Sequence, residues 1–191
     1  MAMFNWIRGT VLLAATVGLI VGIAAVLGAE QMDNYTNTDA FCTSCHLTGE
    51  YIAKSEVYLT SPHQTRSSGV RPGCADCHIP KGLVLATWTH VIKGVQDLYG
   101  QVAYDYENIQ VWQQRRPELA YAVRDWMRAN DSATCRTCHE EESIKPVRKR
   151  GQRQHEEARE KGMTCIDCHY NLVHEEVEPR ESFLDSAGDT N

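Results

Sequence analysis

One pattern recurs four times in this chain: two cysteines separated by two residues, with a histidine at once after the second. Cys42, Cys45 and His46 form the first copy; Cys74, Cys77 and His78 the second; Cys135, Cys138 and His139 the third; Cys165, Cys168 and His169 the fourth. All 8 cysteines of the 191 residues are used in this way. A C-x-x-C pair alone is ambiguous, because two thiolates make half a zinc site or a redox dithiol. Neither chemistry asks for an imidazole at the next position. Covalent haem attachment does: two thiols add to the vinyl groups of the porphyrin while the adjacent histidine reaches the iron from one face. With 8 histidines in 191 residues, four such coincidences have about one chance in 10⁵ to 10⁶. Four haem c groups are therefore expected, the eight cysteines being their covalent attachments and His46, His78, His139 and His169 their proximal iron ligands.

The N-terminus sets the compartment. Gly9 to Ala29 is a run of 21 residues without a charge, and at 1.5 Å per residue it spans roughly 30 Å, the thickness of a bilayer's hydrocarbon core. A cleavable signal has a shorter apolar region and a small-x-small exit; Leu27 fits that exit poorly. An uncleaved anchor over residues 1–29 is expected. Arg8 precedes the span, whereas Glu30 and Asp33 follow it, which puts the N-terminus in the cytoplasm and the remaining chain in the periplasm of a bacterial inner membrane. Ala14, Gly18 and Gly22 form a small-residue stripe on the anchor, the kind that lets two helices approach in lipid as a homodimer. Without the anchor and its single Arg8 the chain holds 18 basic and 25 acidic residues, which excludes an overall basic nucleic-acid binder.

Spacing organises the rest. First cysteines are separated by 32, 61 and 30 residues, which reads as two di-haem halves at about 40–100 and 130–174 within a domain over 30–174. A further histidine strengthens the reading. His63 lies 17 residues after His46, and His155 lies 16 after His139, so the halves look duplicated. His63, His90, His155 and His174 match in number the open sixth positions of four irons. A second histidine closes an iron to substrates and suits it to electron transfer. His63, His155 and His174 are expected as distal ligands, with His90 less clearly placed. Leu83 to Tyr99 has helical apolar spacing, and a second helix is expected over Glu118 to Ala129, opening just after Pro117. No strand pattern is evident. The fold expected is mostly α with irregular loops, short helices packed on porphyrins behind one transmembrane helix. Lys145, Arg148, Lys149, Arg150 and Arg153 make a basic stretch, read as a solvated loop or a docking patch. Residues 175–191 are acidic and poor in apolar side chains, and are expected to be mobile.

The Leu83–Tyr99 helix holds the remaining chemistry. His90, Lys93, Gly94 and Asp97 share one face at offsets of 3, 4 and 7. An imidazole, an ammonium and a carboxylate beside a space without a side chain are the groups a quinol-oxidising site needs, since a quinol gives up two protons with its two electrons. The same spacing also fits an ordinary Lys93–Asp97 surface pair.

These motifs together resemble the NapC/NirT family of membrane-anchored cytochromes. The resemblance rests on the anchor, on "TDAFCTSCH", "SPH", "CADCHIPKG", "KGVQDLYG", "NDSATCRTCH" and "TCIDCHYNLVH", and covers nearly everything except the acidic tail. It implies a quinol dehydrogenase that takes electrons from menaquinol or ubiquinol and delivers them to a periplasmic reductase or soluble carrier in anaerobic respiration. It implies that the haem on Cys42 and Cys45 lies nearest the membrane. It also implies that Asp97 stands on that haem's distal side, assisted by His90 or Lys93. One branch of the family, the NrfH type, places a methionine two residues after the first motif's histidine; here Thr48 stands there, which points to the NapC- or CymA-like branch. The alternatives are a permanent haem subunit of a reductase complex and a terminal reductase with an open haem.

Overall fold

The uncharged run and its flanks form a single helix, α1 (Ala2–Thr36), of 35 residues, about 50 Å long. It is the one helix among the described residues, 2–188 of a computed structural model, that is long and apolar enough to cross a membrane. Between Trp6 and Gly28 every side chain is exposed. A helix apolar on all sides with nothing packed on it needs lipid as its solvent. Only the last turns meet protein: Ala29, Asp33, Thr36 and Asn37 are buried or half-buried.

Beyond the anchor the chain proceeds in short helical pieces. They are α2 (Asp39–Cys42), a π-helical segment Leu47–Ala53, α3 (Glu56–Thr60), α4 (Pro62–Thr65) and α5 (Cys74–His78). Two long helices follow, α6 (Leu83–Ala103) and α7 (Ile109–Ala129), then α8 (Ala133–Arg136), a 3-10 turn at Glu141–Ser143, α9 (Lys149–Glu160), α10 (Cys165–Cys168) and α11 (Glu181–Gly188). No strand is present among the described residues. Side-chain caps punctuate the short pieces: the Thr38 hydroxyl accepts from the Phe41 amide, and that of Ser55 from the Tyr58 amide.

The protein core is small. Leu47, Tyr106 and Trp112 make one buried cluster, and Met127, Ile166 and Phe183 another. So little buried apolar surface is what a chain shows when much of its packing is meant for porphyrin faces.

Three expectations are corrected. α7 does not open after Pro117; it begins at Ile109, where the Asn108 side chain caps the Gln110 amide, and carries Pro117 in its interior. The proline removes one backbone donor without breaking the helix, since Trp112 and Met127 bury the turns on either side of it. The basic stretch is partly helical, its last residues starting α9.

The acidic tail is docked rather than mobile as far as α11. Val177 is 6 % exposed and Phe183 2 %. Arg124 donates to the Val177 carbonyl at 2.7 Å, Arg128 donates to that of Phe183 and stacks 3.6 Å above its ring, and Arg180 pairs with Asp125. Two buried apolar anchors and three arginines from α7 and the tail hold a segment whose composition alone suggests none of them. Residues 189–191 lie outside the described ones. Phe183→Ala is expected to weaken this docking by about 3 kcal/mol, the lower end for losing a buried phenylalanine. Hydrogen exchange across residues 177–185 would report it as faster opening, with α1 to α6 unchanged.

Candidate haem-binding and redox site

The second, third and fourth motifs are each wound as about one helical turn, which puts residues three and four apart on the same side, while the first leaves its helix at Cys42 and turns through residues 43–45. In those three, two sulfurs and an imidazole therefore face one way. In the third and fourth motifs the histidine amide closes the turn on the first cysteine's carbonyl, at 3.0 Å for His139 and 2.9 Å for His169.

Aspartates fix these turns. Asp76 accepts from the Gly73 amide at 3.0 Å and Asp167 from the Thr164 amide at 2.7 Å, capping the second and fourth motifs from within. Asp167 also pairs with Arg128, and Asp76 with Lys81; the lysine and the Gly73 amide hold the Asp76 carboxyl below the usual range. Asp39 reaches from the first motif's helix to the Cys74 amide at 2.8 Å, against a glycine, Gly73, whose missing side chain leaves room for it. Sequence reasoning passed over these three carboxylates. The signal was present in C-A-D-C and C-I-D-C, where the aspartate sits at the third helical position.

The histidines fall into facing pairs. His63 and His139 have ring centroids 6.2 Å apart, His78 and His174 6.1 Å, and His155 and His169 6.1 Å. An imidazole nitrogen binds a first-row metal at about 2 Å, with its ring centre roughly 1 Å behind, so two imidazoles on opposite sides of one metal stand about 6 Å apart. All three pairs meet that spacing. Each contains one motif histidine and one of the expected distal ligands, so these residues fit haem irons ligated on both faces. His78 is pushed down to about 4 by burial, with His174 adding to it, and burial also lowers His63, His169 and His174. A neutral imidazole is the ligating form.

The pairs do not respect the halves. His63 meets the third motif and His174 the second, while His155 stays with the fourth. The motifs nonetheless lie in chain order. α2 packs on α5 and α5 on α8, and the Ile166 amide of the fourth motif donates to Ser132, one turn before Cys135, at 3.1 Å. Burial pushes the Cys74 thiol up to about 12 and that of Cys77 to about 11. No cluster of three metal-ligating side chains occurs among the described residues.

His46 stands apart. Its ring meets Tyr51 edge-on at 5.5 Å, and Tyr51 stacks on Trp112. The π-helical segment begins at the next residue, a conformation frequent at functional sites. Thr48 donates to the carbonyls of Cys42 and Cys45, which turns its hydroxyl into the backbone. A side chain at Gly49 would meet the Thr43 carbonyl oxygen at 2.7 Å, so the turn requires glycine. α6 approaches this region at its C-terminal end: Gly100 packs on Tyr106, which shares a cluster with Leu47. Asp97 is less than one turn earlier. Its side chain is largely exposed, yet the neighbouring protein desolvates the carboxyl enough to raise it above the ordinary value, partly opposed by Lys93. His90 is held at the other end, its Nδ1 3.1 Å from the Ala86 carbonyl and 3.6 Å from Asp33 of α1.

With this arrangement known, comparison with known proteins decides the family. The model of the NapC/NirT cytochrome c family, N-terminal region, matches residues 6–179. The chain belongs to the NapC/NirT cytochrome c family. It shares 40% identity over 172 residues with a probable tetraheme cytochrome c-type protein of Nitrosomonas europaea, covering 88% of this chain and 70% of that one. The denitrification system component NirT of Stutzerimonas stutzeri is 35% identical, with 83% of this chain and 78% of NirT covered. The tetraheme c-type cytochrome CymA of Shewanella oneidensis is also 35% identical, over 86% of this chain and 90% of CymA. No solved structure matches. As a NapC/NirT cytochrome the chain is an electron-transport protein of the c type, with four haem motifs behind one membrane helix.

Proposed function

We propose that this cytochrome is a quinol dehydrogenase, taking electrons from a membrane quinol at the first motif and delivering them to a periplasmic reductase. The observation that carries the reading is the odd histidine count across the pairs. Three motif histidines face a second histidine at about 6 Å, whereas His46 has Tyr51 beside it and the end of α6 nearby. Three closed centres suit transfer alone; one open centre near the membrane suits exchange with a substrate.

Haem c supplies one-electron redox chemistry at each motif. The cysteines would hold it covalently, His46, His78, His139 and His169 would each ligate one iron, and His174, His63 and His155 would supply second ligands to the last three in turn. Asp97 serves as proton acceptor: a quinol losing two electrons also releases two protons, and a carboxylate with a raised pKa takes a proton more readily near neutral pH than an ordinary one. Lys93, four residues earlier on α6, opposes that rise. His90 fixes α6 to the anchor through Asp33. NirT is named for denitrification, which supports a terminal oxidoreductase as the eventual electron acceptor.

Purified, fully haem-loaded full-length protein mixed with a menaquinol or ubiquinol analogue tests the proposal. Reduction of all four haems is expected, beginning with one. No reduction by either quinol, in protein that dithionite still reduces, sinks it.

A further inference from the structure

Neither the haem motifs nor the proton acceptor accounts for the other face of α6. At 100° per residue, Val84, Trp88, Val91, Val95, Tyr99 and Val102 fall within an arc that no polar side chain interrupts. These side chains are open: Val84 is 81 % exposed, Val95 63 % and Val102 89 %. The opposite face is the one that packs, with Ala86 at 2 % and His90 near Asp33. A continuous apolar face of this length is not left to water without a partner.

The position of α6 against α1 says which partner. Asp33 of α1 and Asn37 just beyond its end share a cleft with Gly82 and Ala86, and Asp33 also lies beside His90. Moving up α6 therefore means moving down α1, back toward the membrane. Asp33 is four residues beyond Ala29, where the uncharged run ends, a rise of about 6 Å; that is the depth of the headgroup layer on one side of a bilayer. N-terminal to Ala29 no described residue of α1 is covered, so α6 leaves α1 at that level instead of following it into the hydrocarbon.

We infer that α6 is a second membrane contact, an interfacial helix whose apolar face lies in the lipid where α1 leaves the bilayer. Trp88 and Tyr99 on that face are the residue types that settle at this depth, and Lys93 and Asp97 on the other remain at its polar side. The contact continues the lipid surface α1 already requires, so its occupant is lipid rather than a second copy of the chain or a partner protein. It would hold the haem domain at a fixed height and tilt, which one transmembrane helix alone does less firmly.

The test uses oxidised, full-length holoprotein in phosphatidylcholine–phosphatidylglycerol vesicles carrying a lipid-borne carbene precursor. After photolysis, peptides are mapped by mass spectrometry. Label is expected on the apolar face between residues 84 and 102 at about fivefold or more above that on α9, a polar helix that serves as control. Val91→Glu with Val95→Glu should abolish this excess and leave label on α1 unchanged. The inference is overturned if the wild-type protein carries label on α1 alone. It is equally overturned if a bifunctional cross-linker joins α6 to α6 of a second copy while lipid label is missing. No quinol is present, so the outcome is independent of whether quinol reduces the protein.

Discussion

Asp97→Asn is expected to slow reduction by quinol about 10²- to 10⁴-fold, the range a positioned proton acceptor contributes, with all four haems still attached. Asn keeps the shape of the side chain and removes only its basicity, so a haem spectrum indistinguishable from wild type is part of the expectation. The pH profile gives a sharper readout. Desolvation by the neighbouring protein raises the Asp97 pKa, so the carboxyl stays protonated to higher pH than an ordinary aspartate and acts as a base only above that point. The wild-type rate should rise with pH through a value above the ordinary carboxylate range, and the variant should lose that limb. Lys93 opposes the shift; Lys93→Met should move the limb to still higher pH. Stopped-flow reduction with a soluble quinol analogue measures both, and an unchanged profile in Asp97→Asn would remove this residue from the site.

Removing a distal imidazole should have the next largest effect. His63→Ala, His174→Ala and His155→Ala are each expected to convert one haem of the four from low-spin to high-spin or water-ligated. The geometry assigns these to the third, second and fourth motifs respectively. Low-spin signals in the EPR spectrum should fall by one in each variant and by three in the triple variant. His63→Met should instead keep its haem low-spin and raise that centre's potential, as methionine does opposite histidine. His90→Ala should change none of these signals. Its Nδ1 serves the Ala86 carbonyl, so the expected loss is in the packing of α6 on α1. A low-spin count unaffected by His63→Ala would refute the pairing.

How far the sequence carried can be seen at individual residues. The anchor was readable because lipid imposes a length and a lack of charge, and the attachment motifs because haem chemistry imposes a spacing. Both constraints are local. His63 and His155 occupy matching places in sequence yet face partners in different relations to themselves, one in the third motif and one in the fourth. That depends on the path of the loops between motifs, which no spacing encodes. Pro117 misled because a proline is a good helix start, and only the burial of Trp112 before it shows that the helix was already running. The tail misled for the opposite reason: its acidic composition hides Val177 and Phe183, and the arginines that hold them lie some fifty residues earlier, on α7. Asp76 and Asp167 lie between the cysteines of their motifs and Asp39 three residues before Cys42, but a motif defined by cysteine and histidine alone gives none of them a role.

The crossing of histidine pairs has a consequence for biogenesis. A chain that crosses the membrane in order from its anchor presents the second motif long before His174, which lies 96 residues beyond His78. On the proposed pairing, the second centre would keep an open coordination site until that last imidazole arrives, and His63 and His174 would each complete a centre distant in sequence. Completion of that ligand set would thus wait on nearly the whole chain, so a product truncated before His174 would lack it.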